Sequence, residues 1–217
     1  MENFLTLDGK AALLAVIVGT LILYFGRLYG PFFLAVILLF LALSAVVTNI
    51  GRKRKKRLGL YEVSRGWKNV IANGMVPLLI AIGFWLYGSD ANIIVFMIVY
   101  IASVAGTTAD KFASELGVLD GMPRSIIGFL KVKRGVSGGI TAFGALASLI
   151  GAALIGLSAL SLGLGYHYIA IIAFSGFLGG IVDSFTGYFE EKGIGNKFTS
   201  NILCAVASSL IAYALLI

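Results

Sequence analysis

Seven apolar runs, separated by short polar connections, set the pattern of the chain: residues 11–25, 31–50, 70–87, 91–106, 138–162, 166–182 and 202–217. Runs of this kind, free of interior charge, predict membrane-crossing helices, and a bilayer asks for about 20 helical residues per crossing. Several runs are shorter than that. Either flanking Lys and Arg side chains reach to the interface, or the helix continues beyond its apolar part. The second explanation suits the fourth and sixth runs, which pass without a break into polar segments containing Asp110, Glu115 and Asp183.

Composition agrees with this pattern. Of the 217 residues, 59% are hydrophobic and only 12% are charged, and the mean hydropathy is +0.98. No polar stretch is long enough to build a soluble core. The expected fold is therefore all-α, a polytopic membrane protein with a single bundle of about seven transmembrane helices, residues 1–217 forming one domain. The acids Glu2 and Asp8 argue against a cleaved signal peptide, which would begin with basic residues. Cys204 is the single cysteine, so no internal disulfide forms.

The net charge of +7 does not point to nucleic acid, because the basic residues alternate with the runs instead of forming one patch. With the N-terminus in the cytosol, every Lys and Arg except Arg27 falls in the N-terminal segment or in a cytoplasmic connection. This is the positive-inside pattern. It places Asp110, Glu115 and Asp183 near the cytoplasmic face, within reach of a soluble cosubstrate. His167, the single histidine, lies on the opposite side as a solvated or interfacial residue, which argues against histidine-based catalysis.

Ionisable residues inside membrane segments are costly and mark functional sites by default. At helical spacing Thr107, Asp110 and Ser114 share one stripe, while Thr108, Lys111 and Glu115 share another. Such oxygen ligands suit Mg²⁺ carrying phosphates. The competing reading is a Lys111–Glu115 ion pair on an exposed helix end, with Asp110 as a cap. Lys131, Lys133 and Arg134 precede Gly135, Ser137, Gly138 and Gly139, a cationic, glycine-rich turn before a helix start that would cradle an anion. It is not a Walker A loop. Cations before a membrane helix are also expected without any function.

Ser175, Gly179 and Asp183 recur every four residues, as do Gly176 and Gly180. Small residues at this spacing let helices approach closely, and the expected partner is the helix carrying Asp110 and Glu115. The same faces would serve a homodimer as readily. Arg65, Asn69 and Asn73 form a stripe at the entry of the third run, and Asn201 opens the seventh; their amides either bind nucleotide and phosphate or satisfy helix ends. The cations of residues 52–57 read as contacts to anionic lipid head groups.

Together, ANG at 72–74, ADKFASELG at 109–117, RGVSGGIT at 134–141, GGIVDSFTG at 179–187 and Asn201 resemble a membrane family, the phytyl-phosphate kinases of tocopherol salvage and their homologues. The resemblance runs from about residue 65 to the C-terminus. It implies a CTP-dependent kinase that converts a prenyl monophosphate into the diphosphate. Lys111 departs from the Thr more common after the Asp, and the segment 196–201 is shorter and less acidic than in plant and animal relatives.

Residue chemistry and resemblance combine into one expectation. The prenyl tail lies among the apolar helices of the bilayer with its phosphate at the cytoplasmic edge, and a nucleoside triphosphate enters from the cytosol. Mg²⁺ is held by Asp110, Glu115 and Asp183, while Lys133 and Arg134 stabilise transferring charge. Asn73, Ser114, Lys131, Gly135, Ser137, Gly138, Gly139 and Asn201 bind nucleotide and phosphate. Two alternatives remain: a cytidylyltransferase that forms a CDP-lipid, and a transporter in which the acids bind a cation or proton. The acids cluster at one face and no internal repeat is visible, which disfavours transport.

Overall fold

The computed structural model describes residues 8–61 and 66–217; Glu2 and Arg65, named above, lie outside the described residues. The chain forms helices α1 (Gly9–Phe25), α2 (Gly30–Asn49), α3 (Arg52–Arg57), α4 (Trp67–Tyr87), α5 (Ile93–Gly117), α6 (Ala142–Gly156), α7 (Tyr166–Glu190) and α8 (Lys197–Ala214). Each of the seven apolar runs becomes one helix. Among the described residues, six segments are long and apolar enough to cross a membrane, and α1, with 17 residues, is a shorter apolar helix beside them. The fourth and sixth runs continue into their polar segments, giving helices of 25 residues each in α5 and α7.

Helix α5 is the axis of the bundle and packs against α2, α4, α6, α7 and α8. The reason lies in its sequence: Ala102, Ser103, Ala105, Gly106, Thr107, Thr108 and Ala109 are all buried and leave room for neighbouring backbones. A Cβ on Gly106 would fall 2.0 Å from Ser208 Oγ, and one on Gly176 would fall 2.9 Å from the Ala105 carbonyl carbon. The expected pairing of α7 with α5 is therefore observed through Gly176 and Gly180. Gly179 turns instead to α8, where its Cβ would meet Ser208 Oγ at 1.9 Å. Away from the charged end, Tyr100 stacks on Phe33 with ring centroids 4.0 Å apart and donates to the Phe33 carbonyl at 2.8 Å.

The fifth run does not become helical at residue 138. Gly138 has φ +76°, and a Cβ there would sit 2.6 Å from the Tyr188 nitrogen, so the chain needs glycine to lie against α7. Gly139–Ile140 forms strand β2, antiparallel to β1 (Arg124–Ser125). The helix starts only at Ala142, where Thr141 Oγ1 accepts from the Gly144 nitrogen at 3.0 Å as the N-cap. Residues 118–141 thus form a non-helical connection between α5 and α6 that lies against α7 at Gly138. At the opposite end His167 is exposed in the first turn of α7.

Candidate functional site

Helices α5, α7 and α8, the start of α4 and the 134–141 loop surround a cavity of about 800 Å³ at the charged end of the bundle. Asp110 and Asp183 enter it from α5 and α7, carried together by the close approach of those helices. Between them stands Lys197, the first residue of α8. Its Nζ donates to Asp183 Oδ2 at 2.8 Å and to Asp110 Oδ1 at 3.3 Å, so two carboxylates face one another across one ammonium. Lys197 is half exposed, whereas the Asp183 side chain is only 6% exposed.

Two oxygens here have no hydrogen-bond donor among the described residues: Asp183 Oδ1 and Asn201 Oδ1, both buried. Buried acceptors are normally paired, and leaving one unmade costs about 1–3 kcal/mol. A donor or a cation arriving in the cavity would meet that need. Asn201 Nδ2 donates to Asn73 Oδ1 at 3.3 Å, and Asn73 Nδ2 donates to Asn69 Oδ1 at 3.1 Å. This amide chain points the Asn201 oxygen away from its own partners. Pro77 adds to the polarity of the same corner, since it has no N–H to give to the carbonyl of Asn73 four residues earlier.

Glu115 does not join this pair. Its Oε1 accepts from Thr48 Oγ1 at 3.0 Å and from Lys111, and its Oε2 accepts from Lys55 Nζ at 2.7 Å. Lys55 is fully buried and also donates to the carbonyls of Val47 and Thr48, at 3.2 and 2.6 Å. It thereby satisfies the C-terminal end of α2. The glutamate borders the cavity, yet its charge is spent on fastening α2 and α3 to α5. Among the described residues no three carboxylate, histidine or cysteine side chains gather as a metal cluster. The expected convergence of three acids is corrected: Asp110 and Asp183 face one another across Lys197, while Lys55 and Lys111 hold Glu115 apart from them. The Lys111–Glu115 ion pair exists, but it is buried, and Asp110 caps nothing.

The loop is divided in a similar way. Arg134, Gly135, Ser137, Gly138 and Gly139 line the cavity with Ser114, Asn73 and Asn201, whereas Lys131 and Lys133 are exposed and lie outside its lining. The cause is local: Arg124 bridges Lys131 across a tight turn, which carries both lysines outward. Arg134 is held by donation from Nε to the Gly121 carbonyl at 3.3 Å. The Ser137 nitrogen donates to a carboxylate of the chain itself, Glu191 Oε1, at 2.9 Å, so this one backbone donor of the turn is already paired. Of the cations of α3, Lys55 is the exception to the lipid-contact reading; Lys53, Arg54, Lys56 and Arg57 are exposed.

Lys197 and Lys55 are the residues that the sequence pattern hides. Each sits among cations that flank a membrane helix, where a lysine is expected in any case. A signal existed on the partner side: acids on helices that continue directly from apolar runs each call for a cation from elsewhere in the chain.

Comparison with known proteins fits this architecture. The model of the family described as "Integral membrane protein DUF92" matches residues 2–209. The chain is 36% identical over 207 residues to an uncharacterized membrane protein of Methanocaldococcus jannaschii, covering 94% of this chain and 84% of that one. It is 30% identical over 208 residues to Protein PGR of Arabidopsis thaliana, covering 84% of this chain and 71% of that relative. No solved structure matches. With a match along nearly the whole chain, and relatives covered over most of their length, the protein belongs to the DUF92 family of integral membrane proteins.

Proposed function

We propose that the cavity is the active site of a CTP-dependent prenyl-monophosphate kinase working at the cytoplasmic membrane face. The observation that carries this reading is the donor-poor acid pair: Asp110 and Asp183 are bridged by one half-exposed cation, Lys197, and Asp183 Oδ1 and Asn201 Oδ1 are buried with no donor among the described residues. These are hard oxygen ligands. Mg²⁺ usually takes one or two carboxylates and completes its shell with water and phosphate oxygens, so two acids are sufficient and the third is not needed. Bound there by Asp110, Asp183 and Asn201, the ion would neutralise triphosphate charge.

The chain's own groups supply the rest. Arg134 and the 135–139 turn line the same cavity as the acids and would hold the phosphates, while Lys197 would exchange a carboxylate for a phosphate oxygen. An oxygen of the acceptor monophosphate attacks the γ-phosphorus; the new P–O bond forms as the bond to the β-phosphate oxygen breaks, and CDP leaves with that electron pair. The acceptor is already an anion, so no general base is required. Positioning and charge stabilisation carry most such reactions.

The test is direct. Purified protein in lipid nanodiscs is incubated with farnesyl, geranylgeranyl and phytyl phosphates against each nucleoside triphosphate and Mg²⁺. Prenyl diphosphate and CDP should appear in equal amounts. Pyrophosphate release with a CDP-lipid would reassign the site to a cytidylyltransferase, and absence of any Mg²⁺-dependent turnover would overturn both.

A further inference from the structure

The connection between α5 and α6 carries a hairpin that the proposed reaction does not use. Ser125 donates its N–H to the Leu130 carbonyl at 2.8 Å and Val132 donates to the Pro123 carbonyl at 2.9 Å, closing a turn over residues 126–129. The last two positions of the turn are left-handed, Gly128 at φ +79° and Phe129 at φ +54°. Glycine takes that conformation freely, whereas a bulky side chain rarely does. The turn leaves large apolar side chains outside the fold: Phe129 is 63% and Leu130 73% exposed, and Met122, just before β1, is 56% exposed. Arg124, Lys131 and Lys133 are exposed beside them, and residues 121–141 contain no acid. Arg124 also fastens the tip by donating to the Phe129 carbonyl at 3.3 Å.

The height of this hairpin in the bundle indicates what meets its tip. Ile126 donates its N–H to the Gly138 carbonyl at 2.9 Å, and Gly138 rests against Ser184 and Tyr188 of α7. At that level the outer surface is already apolar: Phe185 of α7 and Phe143, three residues beyond β2, are each about half exposed. In a bundle that crosses a bilayer, this is the height at which acyl chains give way to head groups, a zone that takes aromatic and aliphatic side chains interleaved with Lys and Arg. We infer that the hairpin lies in this interface and docks on anionic lipid, with Phe129 and Leu130 at the acyl boundary and Lys131 and Lys133 on phosphate head groups. Left in water, the same tip would expose apolar area without a partner. Its charge is all of one sign, which suits an anionic leaflet. Pro123 and Ile126 of the same hairpin line the large cavity, so lipid contact at the tip braces a wall of the site. The inference stands without the kinase reading.

The test uses the full chain in nanodiscs. Cys204, the single cysteine, is buried and is replaced by Ala, and a nitroxide is attached at Leu130→Cys. Relaxation of the label by oxygen, which concentrates in lipid, is compared with relaxation by a water-soluble nickel chelate. In discs of phosphatidylcholine and phosphatidylglycerol the label should sit about 5–10 Å into the head-group and acyl boundary and lose most of its access to the chelate. Chelate access equal to that of the free label in buffer overturns the inference, and so does protection that appears only when a soluble protein fraction is added. In phosphatidylcholine alone, and with Lys131→Gln and Lys133→Gln together, the label should move toward water. No shift in either case overturns the assignment to anionic lipid. Should Leu130→Cys not fold, Phe129→Trp with Trp67→Phe and Trp85→Phe reads the same contact by fluorescence. Quenching by lipids brominated on their acyl chains is expected there, and its absence overturns the docking.

Discussion

Two acid clusters lie near each other on α5, and they are built in opposite ways. Around Glu115, Thr48, Lys55 and Lys111 supply a donor to both carboxylate oxygens, and every one of these side chains is buried. Around Asp110 and Asp183, one half-exposed lysine serves both acids, and buried acceptors remain without donors among the described residues. The first arrangement fastens helices together. The second leaves binding capacity facing an open cavity. In a membrane protein, a deep acid is thus not functional merely because it is deep; how its oxygens are satisfied separates architecture from chemistry.

The largest expected effect separates the two clusters by activity. Asp183→Asn and Asp110→Asn should each reduce Mg²⁺-dependent transfer by at least about 10²-fold, with melting temperature in detergent unchanged. Near-normal turnover in both would remove the acid pair from the reaction. Next comes stability: Glu115→Gln leaves Lys55 and Lys111 buried without their counterion, a cost of about 3–5 kcal/mol, read as a clear drop in melting temperature. Replacing Glu115 by Leu together with both lysines by Met should recover most of that loss, because an apolar cluster carries no desolvation penalty. Failure to recover would mean that the ions specify the packing rather than merely filling it.

A smaller effect is expected at Lys197. Its ammonium lies between the acids, where an added cation would compete with it. Lys197→Ala should therefore tighten Mn²⁺ binding roughly two- to tenfold, as suits half-exposed ion pairs, while slowing turnover. Weaker Mn²⁺ binding would show that Lys197 organises the acids instead. The smallest effect belongs to the exposed cations of α3: Arg54→Glu should change turnover by less than about twofold, and a large loss would place that run in the site.

Much of this was legible in residue order. Run lengths gave the helices, and the four-residue spacing of Gly176 and Gly180 pointed α7 at α5, whereas Gly179, on the stripe of Ser175 and Asp183, packs on α8. What stayed hidden depends on contacts distant along the chain. Lys55 looks like its five cationic neighbours until α3 folds back onto α2. Lys197 resembles any lysine preceding a membrane helix, although 87 residues separate it from Asp110. The helix start at Ala142 was readable from Thr141, a favourable N-cap residue, but the continuous apolar run beginning at Gly138 masked it. The outward turn of Lys131 and Lys133 follows from a hairpin only a few residues long, too short for periodicity to reveal.

The division between the two clusters meets its most direct test in Mn²⁺ binding followed by electron paramagnetic resonance, with CTP present, on the intact protein and on Asp183→Asn and Glu115→Gln. One bound ion is expected in the wild type and in Glu115→Gln, and none in Asp183→Asn. Retention of the ion in Asp183→Asn together with its loss in a folded Glu115→Gln would exchange the roles of the two clusters and contradict the assignment of the site.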